Sequence, residues 1–434
     1  MSEVTESEVS TISIHEPIDE TARDQRINFW VSVIEGGAFM GGLGFLAAQT
    51  ILPDIIRQLG GSPLLIAAAP SLSSLGYWVC PILSAHWVDR MHRYKPFIVL
   101  VGATQRIPYL LATIILYLAA SGTFVGAALT AVVLTPVLAG IAGGLSVTAW
   151  QQLIARCIPE KRRASLFATR YIVTCILGVL AGFTAKYLFA HCSLLSAYAT
   201  LHLITLSLLM VSFFVFLATR EPASPAPAVH TLTLFENLAL MPRLIAGDPT
   251  FRRYLWSRML RNGTLILTPF LAIYARVHLN QPESFLGTLT ISNMIGAIVG
   301  NLLAARLGDR VGGKIPSQLA LVLYILAAAW SIVAGTPVEF TLIFALMGAA
   351  LYIGEVGAFT LMLEILPQRN RATYLAITVL ANVPAVIMAG WISSSIWKHT
   401  GGIALLAALT IVTLICSMLL LHPIKDPRHK RAAR

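Results

Sequence analysis

The sequence predicts an all-α polytopic membrane protein with twelve transmembrane helices in two six-helix bundles. Three observations lead there. Of the 434 residues, 56% are apolar and only 12% are charged, and the mean hydropathy is +0.75. That leaves too little polar surface to coat a soluble globule. The apolar residues gather in runs near the roughly 20 residues a helix needs to cross a bilayer. Because hydrocarbon offers open backbone no hydrogen-bond partner, such runs must be helical. Finally, two short polar loops of the first half recur in the second, which marks a doubled bundle.

In the first half the runs cover residues 27–52, 63–88, 97–120, 124–154, 166–190 and 194–218. The first follows a tail rich in Ser, Thr and Glu, the second stops at Asp89-Arg90, and the third starts beyond Lys95. The fourth and fifth flank a basic loop, and the sixth returns the chain to its starting side. In the second half the runs are 254–277, 285–307, 315–334, 338–366, 374–397 and 403–421. Gly36-Gly37 and Gly41-Gly42 in the first run, Gly143-Gly144 in the fourth and Pro384 in the eleventh permit kinks and close helix approach.

Residues 1–26 are expected to form a disordered cytoplasmic tail, with no cleavable signal peptide. Residues 27–218 form the first bundle, 219–253 a cytoplasmic linker, 254–421 the second bundle and 422–434 a basic tail. Within the linker, Leu232, Phe235, Leu238 and Leu240-Met241 recur at near-helical spacing. The segment either lies on the inner leaflet or serves as a plain tether.

Charge sets the orientation. Of the 31 lysines and arginines, 23 fall in the tails, the linker and the loops on the side of the termini. Arg57, Lys186, Arg276 and Lys398 fall at the other face, and Arg106, Arg170, Arg258 and Arg261 within spans. This asymmetry puts both termini in the cytoplasm of a multi-pass cell-membrane protein, and the short outer loops point to a bacterial membrane. The net charge of +11 is scattered beside membrane helices, so its partner is lipid headgroups and not nucleic acid. The densest cluster, Lys425-Asp426-Pro427-Arg428-His429-Lys430-Arg431, reads as a topology signal.

The repeated loops carry more than symmetry. Pro159-Glu160-Lys161-Arg162-Arg163-Ala164-Ser165 is echoed by Pro367-Gln368-Arg369-Asn370-Arg371-Ala372-Thr373, and Asp89-Arg90 with Lys95 by Asp309-Arg310 with Lys314. The stretch Ala305-Arg306-Leu307-Gly308-Asp309-Arg310-Val311-Gly312-Gly313-Lys314 joins an acidic-basic pair to glycine and further base. On these loops and spans the chain resembles the major facilitator superfamily over nearly its whole length. The resemblance implies secondary transport of a small organic solute by alternating access, coupled to protons. It also implies a conformational latch made by Asp89, Arg90, Asp309 and Arg310. The first copy departs from the pattern, with Ala85 and His92 where the family has glycine. Gly178-Val179-Leu180-Ala181-Gly182 lacks the prolines of the family's antiporter element and reads as a helix-approach face.

An ionisable residue inside a span costs at least about 2.5 kcal/mol unless it is paired or wetted, so each needs a reason. Glu35 lies about 12 Å into the first span at 1.5 Å per residue. Glu35, Arg106, Arg261 and Glu355 are the candidates for solute binding or proton coupling, with Gln105, Tyr109 and Tyr352 nearby in sequence. The competing reading is a fixed intrabundle pair between glutamate and arginine, and Arg106 leans structural because the third span of this fold is peripheral. Arg258 and Arg261, near the cytoplasmic end of the seventh span, are expected to snorkel, Arg261 being the deeper and the better candidate for the cavity, and Arg170 and Glu364 to bridge to the loops after the fourth and tenth spans. Asn293, Asn382 and Gln151 either meet a polar solute or bridge helices.

Neither His-Glu-x-x-His, Gly-x-Ser-x-Gly nor a phosphate-binding Gly-rich loop occurs, so the reading is not an enzyme and calls for no cofactor or metal. Cys80, Cys157, Cys175, Cys192 and Cys416 read as small apolar packing residues. The expected partners are a small-molecule solute, the lipid bilayer and protons, with the chain acting as a monomer. A multidrug-type efflux pump and a non-transporting sensor on the same fold stay open as alternatives.

Overall fold

A computed structural model describes residues 16–88, 90–222, 242–366 and 371–424. The first helix, α1, is Glu16–Leu43. It begins before residue 27, so residues 16–26, expected in a disordered tail, form its first turns. Helix formers such as Glu20, Ala22, Arg23 and Gln25 supply the propensity, and contacts to the end of the sixth span hold it in place. Arg220 reaches Asp24 at 2.5 Å. Asn28 grips the Arg220 backbone twice, accepting from its N–H and donating to its carbonyl, both at 2.8 Å.

A short helix α2, Ile51–Gln58, caps the far end, meaning the end away from the chain termini. The second span is α3, Pro63–Ala68, then a 3₁₀ turn at Ala69–Ser71 and α4, Leu72–Val88. The turn contains Pro70, which has no N–H to continue an α ladder. Helices α5, Lys95–Ala120, α6, Val125–Cys157, α7, Glu160–His191, and α8, Leu194–Leu217, follow.

The seventh expected span is two helices, α9, Pro249–Arg261, and α10, Thr264–His278. At Asn262-Gly263 the backbone bonds shorten to i→i−3: Asn262 N–H donates to Met259 at 3.1 Å and Gly263 N–H to Leu260 at 2.9 Å. Neighbouring helices pair the freed polar groups, as a discontinuity in an apolar surround requires. Thr410 donates to the Gly263 carbonyl at 3.1 Å, and the Asn262 amide donates to the Asn382 side chain at 2.6 Å.

The chain continues as α11, Ser284–Val311, α12, Lys314–Val333, α13, Pro337–Ile365, α14, Arg371–Thr400, and α15, Ala404–Leu421. Among the described residues, 11 stretches are long and apolar enough to cross a membrane, and the α9–α10 pair is not among them. With 13 and 15 residues, each half of the pair spans only about 20 Å at 1.5 Å per residue.

Helix α1 packs on α7 and α8, α5 on α6 and α8, and α4 on α6. Later in the chain, α13 packs on α11 and α12, and α15 on α12 and α9. The two sets meet where α7 crosses α11 and where α14 crosses α3 and α4. At the first crossing a Cβ on Gly287 would strike the Gly182 carbonyl and the Lys186 backbone. Glycine there permits the backbone approach, which bears out the reading of Gly178 to Gly182 as a helix-approach face.

The sequence repeat has a structural counterpart at the near end, where the described chain begins and ends. The Lys95 ammonium donates to the Leu217 and Thr219 carbonyls at 2.7 and 2.9 Å, satisfying the open end of α8. Lys314 donates to the His422 carbonyl at 2.8 Å, beyond the end of α15. Each following helix also starts on a carboxylate. Glu221 accepts from the Tyr94 and Lys95 N–H groups at 2.8 and 2.9 Å, and Glu364 accepts from Gly313 at 3.1 Å. A cation closes a helix C-terminus and an anion opens an N-terminus, as the backbone dipoles favour.

Candidate functional site

A cavity of about 490 Å³ lies among the first six spans. Three charged side chains line it, Glu35, Arg106 and Arg170. Around them stand aromatic rings, among them Tyr77, Trp78, Trp150, Tyr171 and Phe213.

Glu35 and Arg170 form an ion pair at 3.4 Å. Arg170 sits about 15 Å into α7 at 1.5 Å per residue, far from the loop after the fourth span that it was expected to bridge. Its guanidinium lies 4.7 Å from the centroid of the Trp150 ring. Opposite the ring, α1 presents Gly36, where a Cβ would collide with the guanidinium; the missing side chain is the space the arginine occupies. The Arg170 Nη1 is buried and makes no hydrogen bond.

Arg106 is held differently. It donates from Nε to the Leu209 carbonyl at 3.0 Å and from Nη1 to the Gly102 carbonyl at 2.6 Å. Its guanidinium lies 5.1 Å from the Phe213 centroid. Beside it, Gln105 donates to the Ala139 carbonyl at 2.9 Å and to the Tyr77 hydroxyl at 3.1 Å. Two sequence candidates, Glu35 and Arg106, thus share one cavity.

The other two meet elsewhere. Glu355 on α13 pairs with Arg258 at 3.2 Å and with Arg261, both on α9. Arg258 and Arg261 therefore bind a carboxylate where snorkelling was expected. The Glu355 side chain is 49% exposed, and Tyr352 one turn away is in electrostatic reach of both Glu355 and the cavity-lining Tyr171. Glu364 accepts from the Gly313 N–H between α11 and α12 at 3.1 Å; the loop after the tenth span, to which it was expected to bridge, lies outside the described residues. Asn293 bridges to the Phe344 carbonyl at 3.1 Å and Asn382 to Asn262, both in the helix-bridging role.

Of the latch residues, Asp89 and the Asp309 side chain lie outside the described residues. Arg90 and Arg310 are exposed. The second copy of the basic loop lies partly outside the described residues; in the first, Arg163 closes the end of α6 by donating to Ala155 and Ile158 carbonyls at 2.8 and 3.1 Å.

Sequence reasoning missed a cluster at the far end. Asp54 on α2, 0% exposed, accepts from Arg57 at 3.1 Å, Tyr198 at 3.1 Å and Arg276 at 3.2 Å. Arg276 also holds Glu283 at 3.0 Å. Thr50 and Thr290 join the same two regions at 2.7 Å. Among the described residues, the Asp54–Arg276 and Thr50–Thr290 bonds connect helices before residue 222 to helices after 242. Arg57 and Arg276 were two of the few basic residues at that face, and the Asp54–Arg57 spacing of one helical turn was the available signal.

The Major Facilitator Superfamily model matches residues 35–275 and 259–434. An uncharacterized Mycobacterium tuberculosis protein, Rv2209, is 23% identical over 394 residues, covering 88% of this chain and 74% of that one. Among solved structures, the nucleoside transporter NupG in a mutant form has a TM-score of 0.68 at 14% identity, covering 93% of this chain and 98% of that one. A bacterial homologue of the iron transporter ferroportin, inward-facing, also gives 0.68, at 15% identity over 92% and 98% of the two chains. Its outward-facing form gives 0.60 at 17% identity, over 95% and 100%. These likenesses establish a transporter fold, and the helices that carry it make an integral membrane protein. By family match and fold together, the chain belongs to the major facilitator superfamily.

Proposed function

We propose that the protein is a secondary transporter of a small organic solute, working by alternating access between two six-helix units, 27–218 and 254–421, and coupled to protons. Its termini face the cytoplasm of a bacterial membrane, and the far end is the outer one. The observation that carries this reading is the pairing of a charged, aromatic-lined cavity with a far end tied shut across the two units by Asp54 and Arg276. The higher TM-score with the inward-facing ferroportin homologue than with its outward-facing form, 0.68 against 0.60, supports an inward-facing state.

Coupling follows from the Glu35–Arg170 pair. A solute that engages Arg170 competes with Glu35 for the guanidinium. A carboxyl group released in an apolar wall is tolerated in its protonated form, so solute binding and proton binding are linked. The Glu355 cluster, where one carboxylate ties two α9 arginines, steadies the discontinuous helix while the units move.

Counterflow tests the reading. A library of labelled organic solutes is exchanged across proteoliposomes holding the full chain; one solute exchanges, and a protonophore abolishes its uphill uptake. Glu35→Gln keeps exchange but loses accumulation driven by a pH gradient. Absence of exchange for every solute identifies a sensor instead. The aromatic lining also favours a second reading, efflux of amphiphilic compounds, which is distinguished by gradient-driven movement outward.

A further inference from the structure

Building on the transporter reading of this cavity, we propose that the solute is an organic anion with an apolar, ring-bearing body, its charged group seated between Arg106 and Arg170. Guanidinium groups stay protonated in proteins, so the three charged side chains of the cavity leave one positive charge in excess. The second cluster has the same ratio, one glutamate to two arginines, but there both arginines bind the carboxylate. In the cavity only Arg170 does. Arg106 spends Nε and Nη1 on backbone carbonyls, and no carboxylate among the described residues comes within ion-pair distance of it.

An unneutralised cation in an apolar wall is costly. While Glu35 is ionised, an anion discharges the excess, a neutral solute leaves it and a cation adds to it; once Glu35 is protonated the pull on an anion is stronger still. The donor open to the anion is the Arg106 Nη2, which makes no hydrogen bond among the described residues; the Arg170 Nη1 faces Glu35 at 3.4 Å without a hydrogen bond to it, so it reaches the anion in competition with that carboxylate. Both guanidiniums rest on rings, Phe213 and Trp150, which fixes their planes and leaves N–H edges free for a planar or tetrahedral oxyanion. Trp78, Tyr77 and Phe39 offer the apolar faces for the body. The volume of about 490 Å³ fits one small organic molecule.

The test uses probes of matched shape and opposite or no charge, namely benzoate, benzenesulfonate, benzyltrimethylammonium and benzyl alcohol. Thermal unfolding of the purified full-length protein in detergent reads binding, because a ligand of the folded state raises the midpoint. The expected result is a concentration-dependent rise with at least one of the two anions and none with the cation. In Arg106→Gln the anion affinity falls at least tenfold, and Arg106→Lys recovers part of it. A rise with the cation, no rise with either anion, or an anion affinity indifferent to Arg106→Gln overturns the proposal. If Arg106→Gln fails to fold, Arg170→Gln carries the same test. Counterflow of the bound anion separates the two claims: binding without exchange refutes transport while the anion site stands, and exchange of only cationic or neutral solutes refutes the anion while transport stands.

Discussion

Asp54 and Arg276 lie 222 residues apart in sequence and meet at 3.2 Å in a fully buried contact. Neither arginine nor aspartate is tolerated alone in such a place. Removing one partner of a buried pair costs about 3–5 kcal/mol where the other is left stranded; here Asp54 keeps Arg57 and Arg276 keeps Glu283, so the cost is smaller. Under the proposed alternating access, that cost falls on the conformation in which the far end is closed, since the contact joins helices before residue 222 to helices after 242.

Asp54→Asn is therefore expected to shift the protein toward the form open at the far end. A single reporter, Thr290→Cys in a chain stripped of its five native cysteines, should label at least about tenfold faster from the aqueous side at the far end, since about 1.4 kcal/mol is already a factor of ten. Unchanged labelling would show that the contact does not hold the gate.

Gly36→Ala tests the seat of Arg170. A methyl group there meets the guanidinium, so the arginine must leave either Glu35 or the Trp150 face. Overpacking of this kind costs about 1–3 kcal/mol. The expected outcome is a modest fall in the unfolding midpoint with a disproportionate loss of solute binding; normal binding would mean that the Arg170 position is immaterial.

Lys95→Met and Lys314→Met probe the repeat. If the two lysines do the same work at the ends of α8 and α15, each loss should cost a similar amount, about 0.5–1.5 kcal/mol, read as matched drops in the thermal midpoint. A silent substitution in one half beside a harmful one in the other would break the equivalence.

Asn382→Leu leaves the Asn262 amide without its 2.6 Å acceptor at the break between α9 and α10. An unsatisfied buried donor costs about 1–3 kcal/mol, so stability should fall by that amount and be partly restored in the double variant Asn262→Leu, Asn382→Leu.

The helices were legible because apolar runs are local. So was the repeat, down to the lysine that recurs after each acidic-basic pair. Discontinuities were harder. Asn262-Gly263 sits in an apolar stretch whose composition permits a continuous helix, and the partners that stabilise the break, Asn382 and Thr410, lie over a hundred residues on. Depth along a span could be counted for Glu35 and Arg106, and both reached the cavity. The destination of Arg170 depended on the space left by Gly36 on another helix, which spacing within one segment cannot reveal. Asp54 was not legible because two of its three partners are set by the fold: Arg57 is local, but Tyr198 and Arg276 lie 144 and 222 residues away.

The clamp at the near end sets how the first unit can move. Asn28 on α1, Tyr94 and Lys95 at the head of α5, and Arg156 on α6, 3.6 Å from Glu221, all converge on Arg220 and Glu221, a few residues beyond the end of α8. Three helix ends and the flank of α1 are thereby fixed to one another, so a displacement of any one of these four helices is carried by all of them.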